Sequence, residues 1–370
     1  MRVLHLYAGN LYGGVETFLA TLARSRSLSN MQPTFALCFE GRLSNELRES
    51  GAGIEILGRV RFSRPWTVLS ARRNLRRLLA REKFDVAICH SAWPHAVFAP
   101  VIQKAGLPLV FWAHSPPADH WVDRHAARTP PDLLVANSRF TLAAHEGWFS
   151  GRARTVLRLP VAPVEIVDRD DTRRNIRLEL ETRDSDVVIV CSSRFEPWKG
   201  HRLLLDALAK LKDEPNWSAW IAGGPQRESE REYLAELCAH AARQGLESRV
   251  EFIGQRSDIP RVLCAADIHC QPNVAPEPFG IAFVEALYAG LPVVSTAMGG
   301  AEEIVTSDCG ILVAPDVGEL TDALRRLILN PDLRSRLGVA GPKRAAELCD
   351  PRGTMRTIEN ELAKVIESKK

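Results

Sequence analysis

No C-x-x-C pair occurs among the eight cysteines of this chain, and most of them fall inside apolar runs that read as strands or helices. That pattern predicts buried thiols in a reducing compartment, not a disulfide framework. Long apolar runs are also missing. None approaches 18 residues, and the N-terminus enters an apolar strand at Val3 with no charged leader and long hydrophobic stretch, so neither a membrane span nor a signal peptide is expected. Charge of one sign is not in excess: 48 Lys/Arg against 45 Asp/Glu leaves +3, too little for a nucleic-acid binder. Internal repeats and low-complexity tracts are absent. What is there, 45% hydrophobic and 25% charged residues over 370 positions, is the composition of an ordinary enzyme with two separate cores.

The charge is unevenly spread. Residues 1–165 hold 21 Lys/Arg and 12 Asp/Glu, whereas the remainder holds 27 and 33, so the first part is basic and the second acidic. An anionic partner on the first part, a phosphorylated acceptor or a membrane face, is the expectation.

Short β-rich runs alternate with segments of helical period. Strands are expected at 3–7, 34–39, 53–57, 85–89, 107–112 and 133–136, with helices near 15–28, 66–82, 94–104 and 138–147. The rhythm restarts after residue 170, with strands at 187–191, 219–222, 250–253, 268–271, 293–295 and 311–313 and helices near 199–212, 229–244, 279–290 and 316–329. Apolar strands separated by helices mean parallel sheets covered on both faces. Residues 159–171, rich in proline and then acidic, read as a linker without periodicity. Two doubly wound domains follow, at 1–165 and 166–350, with 351–370 returning to the first. Such sheets take ligands at the carboxyl ends of their strands, which predicts a cleft between the domains.

Three segments could carry chemistry. Gly13 and Gly14 open the helix after the first strand, where unpaired N–H groups and the dipole favour an anion; a tight βα turn, with Glu16 as a first-turn acid, explains the same residues. The spacing is not that of a dinucleotide fingerprint. Arg194 and Lys199 leave the end of the strand at 187–191, where a fork and a point charge can converge on one polyanion, or form a solvated loop. Glu277 precedes a helix and Glu285 sits eight residues on, among Ile281, Phe283, Val284 and Leu287. A carboxylate there needs donors such as ribose hydroxyls to be worth burying, or is a surface acid on an amphipathic helix.

Arg194, Lys199-Gly200, the E-x7-E frame of Glu277 and Glu285, Gly290-Leu-Pro-Val-Val and Gly299-Gly-Ala-Glu-Glu-Ile together resemble the retaining glycosyltransferases of family 4, over nearly the whole chain and most strongly over 190–315. The resemblance implies an α/β architecture of the GT-B type: an acceptor-binding and a nucleotide-sugar-binding Rossmann-like domain. It implies a retaining, metal-independent, hexosyltransferase-type enzyme that moves a sugar from a UDP- or GDP-sugar to an acceptor hydroxyl, with no cofactor besides that co-substrate. A sugar or lipid-linked acceptor in cell-envelope or exopolysaccharide synthesis is implied too. Residue by residue, Arg194 and Lys199 bind the diphosphate, Glu277 the donor sugar and Glu285 the ribose. Phe279, Gly280 and Ile281 offer amides to sugar and phosphate, Gly13-Gly14 faces the distal phosphate, and the backbone at Arg256 reads the base. His114 lies where the family places a histidine near the transferred sugar, although Ser115 stands where many members have an acid. As an isolated residue, His114 also reads as a hydrogen-bonded structural histidine. A GT-B-like nucleotide-sugar epimerase and a non-catalytic nucleotide-sugar sensor share the architecture.

Two D-x-D matches, Asp168/Asp170 and Asp184/Asp186, recur as metal motifs elsewhere, but one lies in the linker and the other precedes a strand. His90, His95, His120 and His125 lack metal-ligand spacing. Residues 66–81 place Val68, Leu75, Leu78 and Leu79 on one helical face, with Arg73, Arg77 and Arg81 opposite and Arg72 and Arg76 at the flank. That is a helix packed on the sheet, or one that also meets anionic lipid and makes a cytoplasmic protein peripheral to the inner membrane face. Trp93, Trp112, Trp121 and Trp198, near strand ends, read as core packing or as stacking platforms.

Overall fold

The computed structural model describes residues 1–118 and 120–369. The chain divides into two compact units: one runs from Met1 to Ala162 and resumes at Cys349, and the other is Pro163–Leu348.

The first unit carries seven parallel strands, β1 (Arg2–Tyr7), β2 (Gln32–Leu37), β3 (Gly53–Ile56), β4 (Val86–His90), β5 (Leu109–Ala113), β6 (Leu133–Ala136) and β7 (Ala153–Val156). Their order is β3-β2-β1-β4-β5-β6-β7, so the winding reverses between β1 and β4. β4, β5 and β6 are buried along their whole length, as strands covered by helices on both faces must be. Leu4, Leu6, Ala87, Cys89, Val97, Phe98 and Ile102 form the core beneath them. The helix Pro351–Glu367 belongs to this unit. Asp350 caps it, it buries Met355, Ile358 and Leu362, and Glu359 accepts the Asn30 backbone and side-chain N–H groups at 3.2 and 3.0 Å.

The second unit carries β8 (Val187–Ser192), β9 (Trp217–Ala222), β10 (Val250–Gly254), β11 (Ile268–Gln271), β12 (Val293–Thr296) and β13 (Gly310–Val313). All are parallel, in the order β10-β9-β8-β11-β12-β13, and the winding reverses between β8 and β11. No helix among the described residues is long and apolar enough to cross a membrane.

The structure departs from the sequence expectation at several places. β7 was not expected: Ala153 and Arg154 are exposed on an edge strand that shows no apolar run. The expected linker already contains the start of a helix, Arg169–Glu179, whose first turn is capped by Asp168 accepting from Asp171 N–H at 2.8 Å. The acids that looked like linker solvation are therefore cap and first-turn residues. The first helix closes at Arg24 and gives way to a 3-10 turn at Arg26–Leu28. All eight cysteines are free, but Cys238 is exposed where a buried thiol was expected.

Candidate functional site

In the second unit, two loops leave the carboxyl ends of β8 and β11, on either side of the point where the winding reverses. After β8 the chain turns through Ser193 to Glu196 into a 3-10 turn, Pro197–Lys199, and Gly200 then opens the helix His201–Ala209. Gly200 is required there twice over. Its φ is +75°, and a Cβ would lie 1.7 Å from the Pro272 carbonyl oxygen on the neighbouring loop. Val274 N–H donates to Trp198 C=O at 2.8 Å and fastens the two loops together.

That contact places Lys199 against Glu277. The ammonium Nζ lies 2.7 Å from Glu277 Oε2 and 3.9 Å from the centroid of the Trp198 ring. The same oxygen accepts from Asn273 Nδ2 at 3.0 Å and Gln271 Nε2 at 3.2 Å, while no described residue bonds Oε1. Hydroxyls at the end of β12 hold the donors: Ser295 Oγ donates to Gln271 C=O and Thr296 Oγ1 to Asn273 C=O. Glu277 is itself fixed by a bridge to Gly299 and by Gly300 N–H on its carbonyl at 2.6 Å. Gln271 and Asn273 were missed in the sequence, where an amide six or four positions from an acid carries no signal.

Arg194 is less free than the sequence suggests. Its Nη2 is paired with the buried Glu230 and lies 3.5 Å from Glu196. Burial works against the Glu230 carboxylate, but the Gln226 amide and Arg194 outweigh it and keep its pKa below the ordinary value. The two acids orient the guanidinium and leave Nη1 without a partner among the described residues.

The loop Pro276 to Gly280 feeds the helix Ile281–Ala289. Phe279 is buried and Gly280 adopts φ +108°, so the helix begins abruptly with first-turn amides at Ile281 and Ala282 that have no intrahelical acceptor. Glu285, just over one turn inside, is half-buried and has no hydrogen bond or ion pair among the described residues. Its apolar surroundings push its carboxyl up to about 7. The Arg256 side chain is engaged by Glu179 and by Asp258 at 2.8 Å, which hold it firmly protonated and away from ligand work.

In the first unit, Gly13 precedes the helix Gly14–Arg24. Its N–H donates to Glu16 Oε2 at 2.9 Å, and Tyr7 Oη donates to Glu16 Oε1 at 2.7 Å. The Gly13 amide is thus occupied by a capping acid, and the first-turn amides without an intrahelical acceptor begin at Gly14. His114 follows β5 and is buried. Its Nε2 lies 3.0 Å from His90 Nδ1, and Asn137 Nδ2 donates to its carbonyl at 3.1 Å. Burial lowers the His114 pKa to about 3, so the ring is neutral.

Of the competing signals, Asp168 is a helix cap, and Asp186 is buried and accepts from Ser218 Oγ at 2.6 Å. Among the described residues no group of three His, Cys, Asp or Glu is placed to hold a metal ion. Trp112 is wholly buried, and Trp121 is exposed and packs edge-on against Phe62. On the helix Pro65–Arg81, Arg72 is tied to the carbonyls of Val97 and Ala96, while Arg73, Arg76, Arg77 and Arg81 are exposed.

Known proteins match both units. The family described as Glycosyltransferase Family 4 matches residues 12–160, and Glycosyl transferases group 1 matches 172–344. A GDP-mannose-dependent monoacylated alpha-(1-6)-phosphatidylinositol monomannoside mannosyltransferase of Corynebacterium glutamicum is 30% identical over 58% of this chain, and the chain spans 57% of that protein's length. The GDP-mannose-dependent alpha-(1-6)-phosphatidylinositol monomannoside mannosyltransferase of Mycolicibacterium smegmatis is 26% identical over 90% of this chain and 89% of its own. The Anabaena protein HepE, solved in complex with UDP and glucose, superposes with a TM-score of 0.85 at 26% identity, covering 98% of this chain and 100% of its own. With both halves matched in order, the chain belongs to the family 4 glycosyltransferases and has the GT-B fold.

Proposed function

We propose that this protein is a retaining hexosyltransferase that moves a sugar from a nucleoside diphosphate sugar to an acceptor hydroxyl in the synthesis of a cell-envelope or extracellular glycan. The observation that carries the reading is the Lys199–Glu277 pair at the reversal point of the second sheet, an ammonium and a carboxylate oxygen 2.7 Å apart with Oε1 left for a ligand. The second unit is assigned the donor and the first the acceptor.

In the reaction the anomeric C–O bond breaks and its electron pair leaves with the diphosphate. The acceptor oxygen bonds the anomeric carbon on the same face, and its proton passes to the departing phosphate oxygen. The main demand is stabilisation of charge on the leaving group. Lys199, Nη1 of Arg194, and the amides of Gly280, Ile281 and Ala282 are the donors for it, and the reading calls for no metal. Glu277 Oε1 accepts from sugar hydroxyls and Glu285 from the ribose. Phe279 shapes the turn, the backbone around Arg256 meets the base, Gly14 faces the distal phosphate, and His114 meets the transferred sugar. UDP- and GDP-sugars are both candidates, since UDP is bound in the Anabaena structure and the two mannosyltransferases are named for GDP-mannose.

The compartment we infer is the cytoplasm, with contact to the inner face of the membrane through the helix Pro65–Arg81. There Trp66 and Leu69 are 65% and 62% exposed beside the exposed arginines, a pairing suited to an anionic bilayer. Flotation with vesicles containing anionic lipid tests it: the native chain floats and the Arg73, Arg77 and Arg81 to Glu variant does not. A native chain that stays behind ends this part of the reading.

A thermal-shift screen of nucleoside diphosphate sugars tests the main reading. A donor at 100 times its Kd adds about 2.7 kcal/mol of stability. Release of free nucleotide only with acceptor present is the expected result; isomerised donor without acceptor, or binding with neither outcome, overturns transfer.

A further inference from the structure

Three buried histidines stand in a single file at the reversal point of the first sheet. His5 lies on β1, His90 ends β4, and His114 follows β5; these strands are neighbours in the sheet. His5 Nδ1 is 2.9 Å from His90 Nε2, and His90 Nδ1 is 3.0 Å from His114 Nε2. The rings are packed by Phe35 against His5, by Trp112 against His90 and His114, and by Phe18 against His90 and His114. His114 Nδ1, at the end of the file, is buried and has no hydrogen-bond partner among the described residues. Beside the file Ser91 holds φ 74° and ψ 169°, a conformation nearly reserved for glycine and typical of functional sites.

Neutral imidazole has one N–H and one bare nitrogen. Both links join Nδ1 of one ring to Nε2 of the next. If His90 carries its proton on Nε2, it donates to His5 Nδ1, which must be bare, and its own bare Nδ1 must accept from His114 Nε2–H. If the proton is on His90 Nδ1, every assignment reverses. Any mixture sets two lone pairs or two N–H groups against each other at about 3 Å, which a dry interior punishes.

We propose that His5, His90 and His114 form a tautomer-locked row, all three protonated on Nε2 or all three on Nδ1. His5 and His90 thereby act as positioning residues that decide whether His114 Nδ1 offers a lone pair or an N–H to the sugar. The second clause rests on the glycosyltransferase reading above; the lock itself does not.

The lock is read on the full ligand-free chain with 15N-labelled histidine, by two-bond proton–nitrogen correlation, with the rings assigned from single His-to-Phe variants. Three matching tautomers, with scalar coupling across both N–H···N contacts, are expected; any mixed set overturns the proposal. In His90→Phe the His114 tautomer ratio changes while the melting curve stays cooperative; an unchanged ratio overturns it. If that variant does not fold, His5→Phe leaves His90 and His114 matched to each other, and a mismatch there overturns it. With UDP-glucose and GDP-mannose as donor probes, kcat of His5→Phe falls at least tenfold while donor Kd moves less than threefold. An unchanged kcat removes the positioning role. Failure of the native chain to transfer either sugar with a matched row intact counts against the enzymatic reading and the role drawn from it, not against the lock.

Discussion

Glu277 Oε2 takes three donors, the Lys199 ammonium at 2.7 Å and the amides of Asn273 and Gln271, whereas its Oε1 takes none from the described residues. The pair is therefore oriented before a ligand arrives. Preorganisation of this kind spares reorganisation when charge develops, which is where electrostatic catalysis gains most of its effect.

Lys199→Ala is expected to lower kcat by 10²- to 10³-fold, about 3 to 4 kcal/mol at the transition state, with a smaller effect on donor KM. Lys199→Arg does not restore the rate, because a planar fork cannot occupy the place of a compact ammonium between Glu277 and the Trp198 ring. Steady-state kinetics check this, and activity within threefold of native would remove Lys199 from the reacting diphosphate.

Gly200→Ala combines a left-handed φ of +75° with a Cβ 1.7 Å from a backbone oxygen. Gly106→Ala shares the unfavourable φ, at +72°, but its Cβ meets nothing within 4 Å. The second is expected to cost about 1 kcal/mol and keep activity; the first costs more and displaces Lys199. Equal melting temperatures for the two would refute the close approach.

Glu285 has a folded pKa raised to about 7 by burial. The folded state then binds more protons than the unfolded between about pH 4.5 and 7, so the ligand-free chain loses stability as pH rises through that window. Glu285→Gln is expected to stabilise the ligand-free protein above pH 7 by about 1–3 kcal/mol, to change nothing below pH 4, and to weaken nucleotide binding. Denaturant melts at pH 4 and pH 8 decide it.

The histidines act in the opposite direction. Burial holds His5, His114, His201 and His269 near 3 and His95 near 4, while the unfolded chain titrates near 6.5. Their stabilising contribution is complete above about pH 6.5 and is lost as pH falls toward 3, by up to about 1.4 kcal/mol per pH unit for each ring. His5→Phe should flatten the slope of stability against pH between 6 and 4; a slope equal to that of native would show that the ring is not buried neutral.

Strands such as β4 and β6 were legible in the sequence because both faces are dry and the apolar run is unbroken. β7 was not, since an edge strand reading Ala153-Arg-Thr-Val156 carries no such run. The helix Arg169–Glu179 was hidden because it buries little beyond Ile176 and Arg177 and otherwise displays charge. At the site, the frame of Glu277 and Glu285 was visible as acids in an apolar setting. The Arg194–Glu230 pair spans 36 residues and His5–His90 spans 85, and no local pattern records either. Spacing reveals what one helix or loop brings together; partners contributed by separate strands of a parallel sheet emerge only from its order.

The backbone bond from Val274 to Trp198, the close seat of Gly200 on Pro272 and the ion pair they enclose make the loops after β8 and β11 a single mechanical piece. Local opening of one requires release of the other. Amide exchange at Gly200 and Val274 should then proceed with one common opening free energy, and a bound nucleotide should slow both by the same factor.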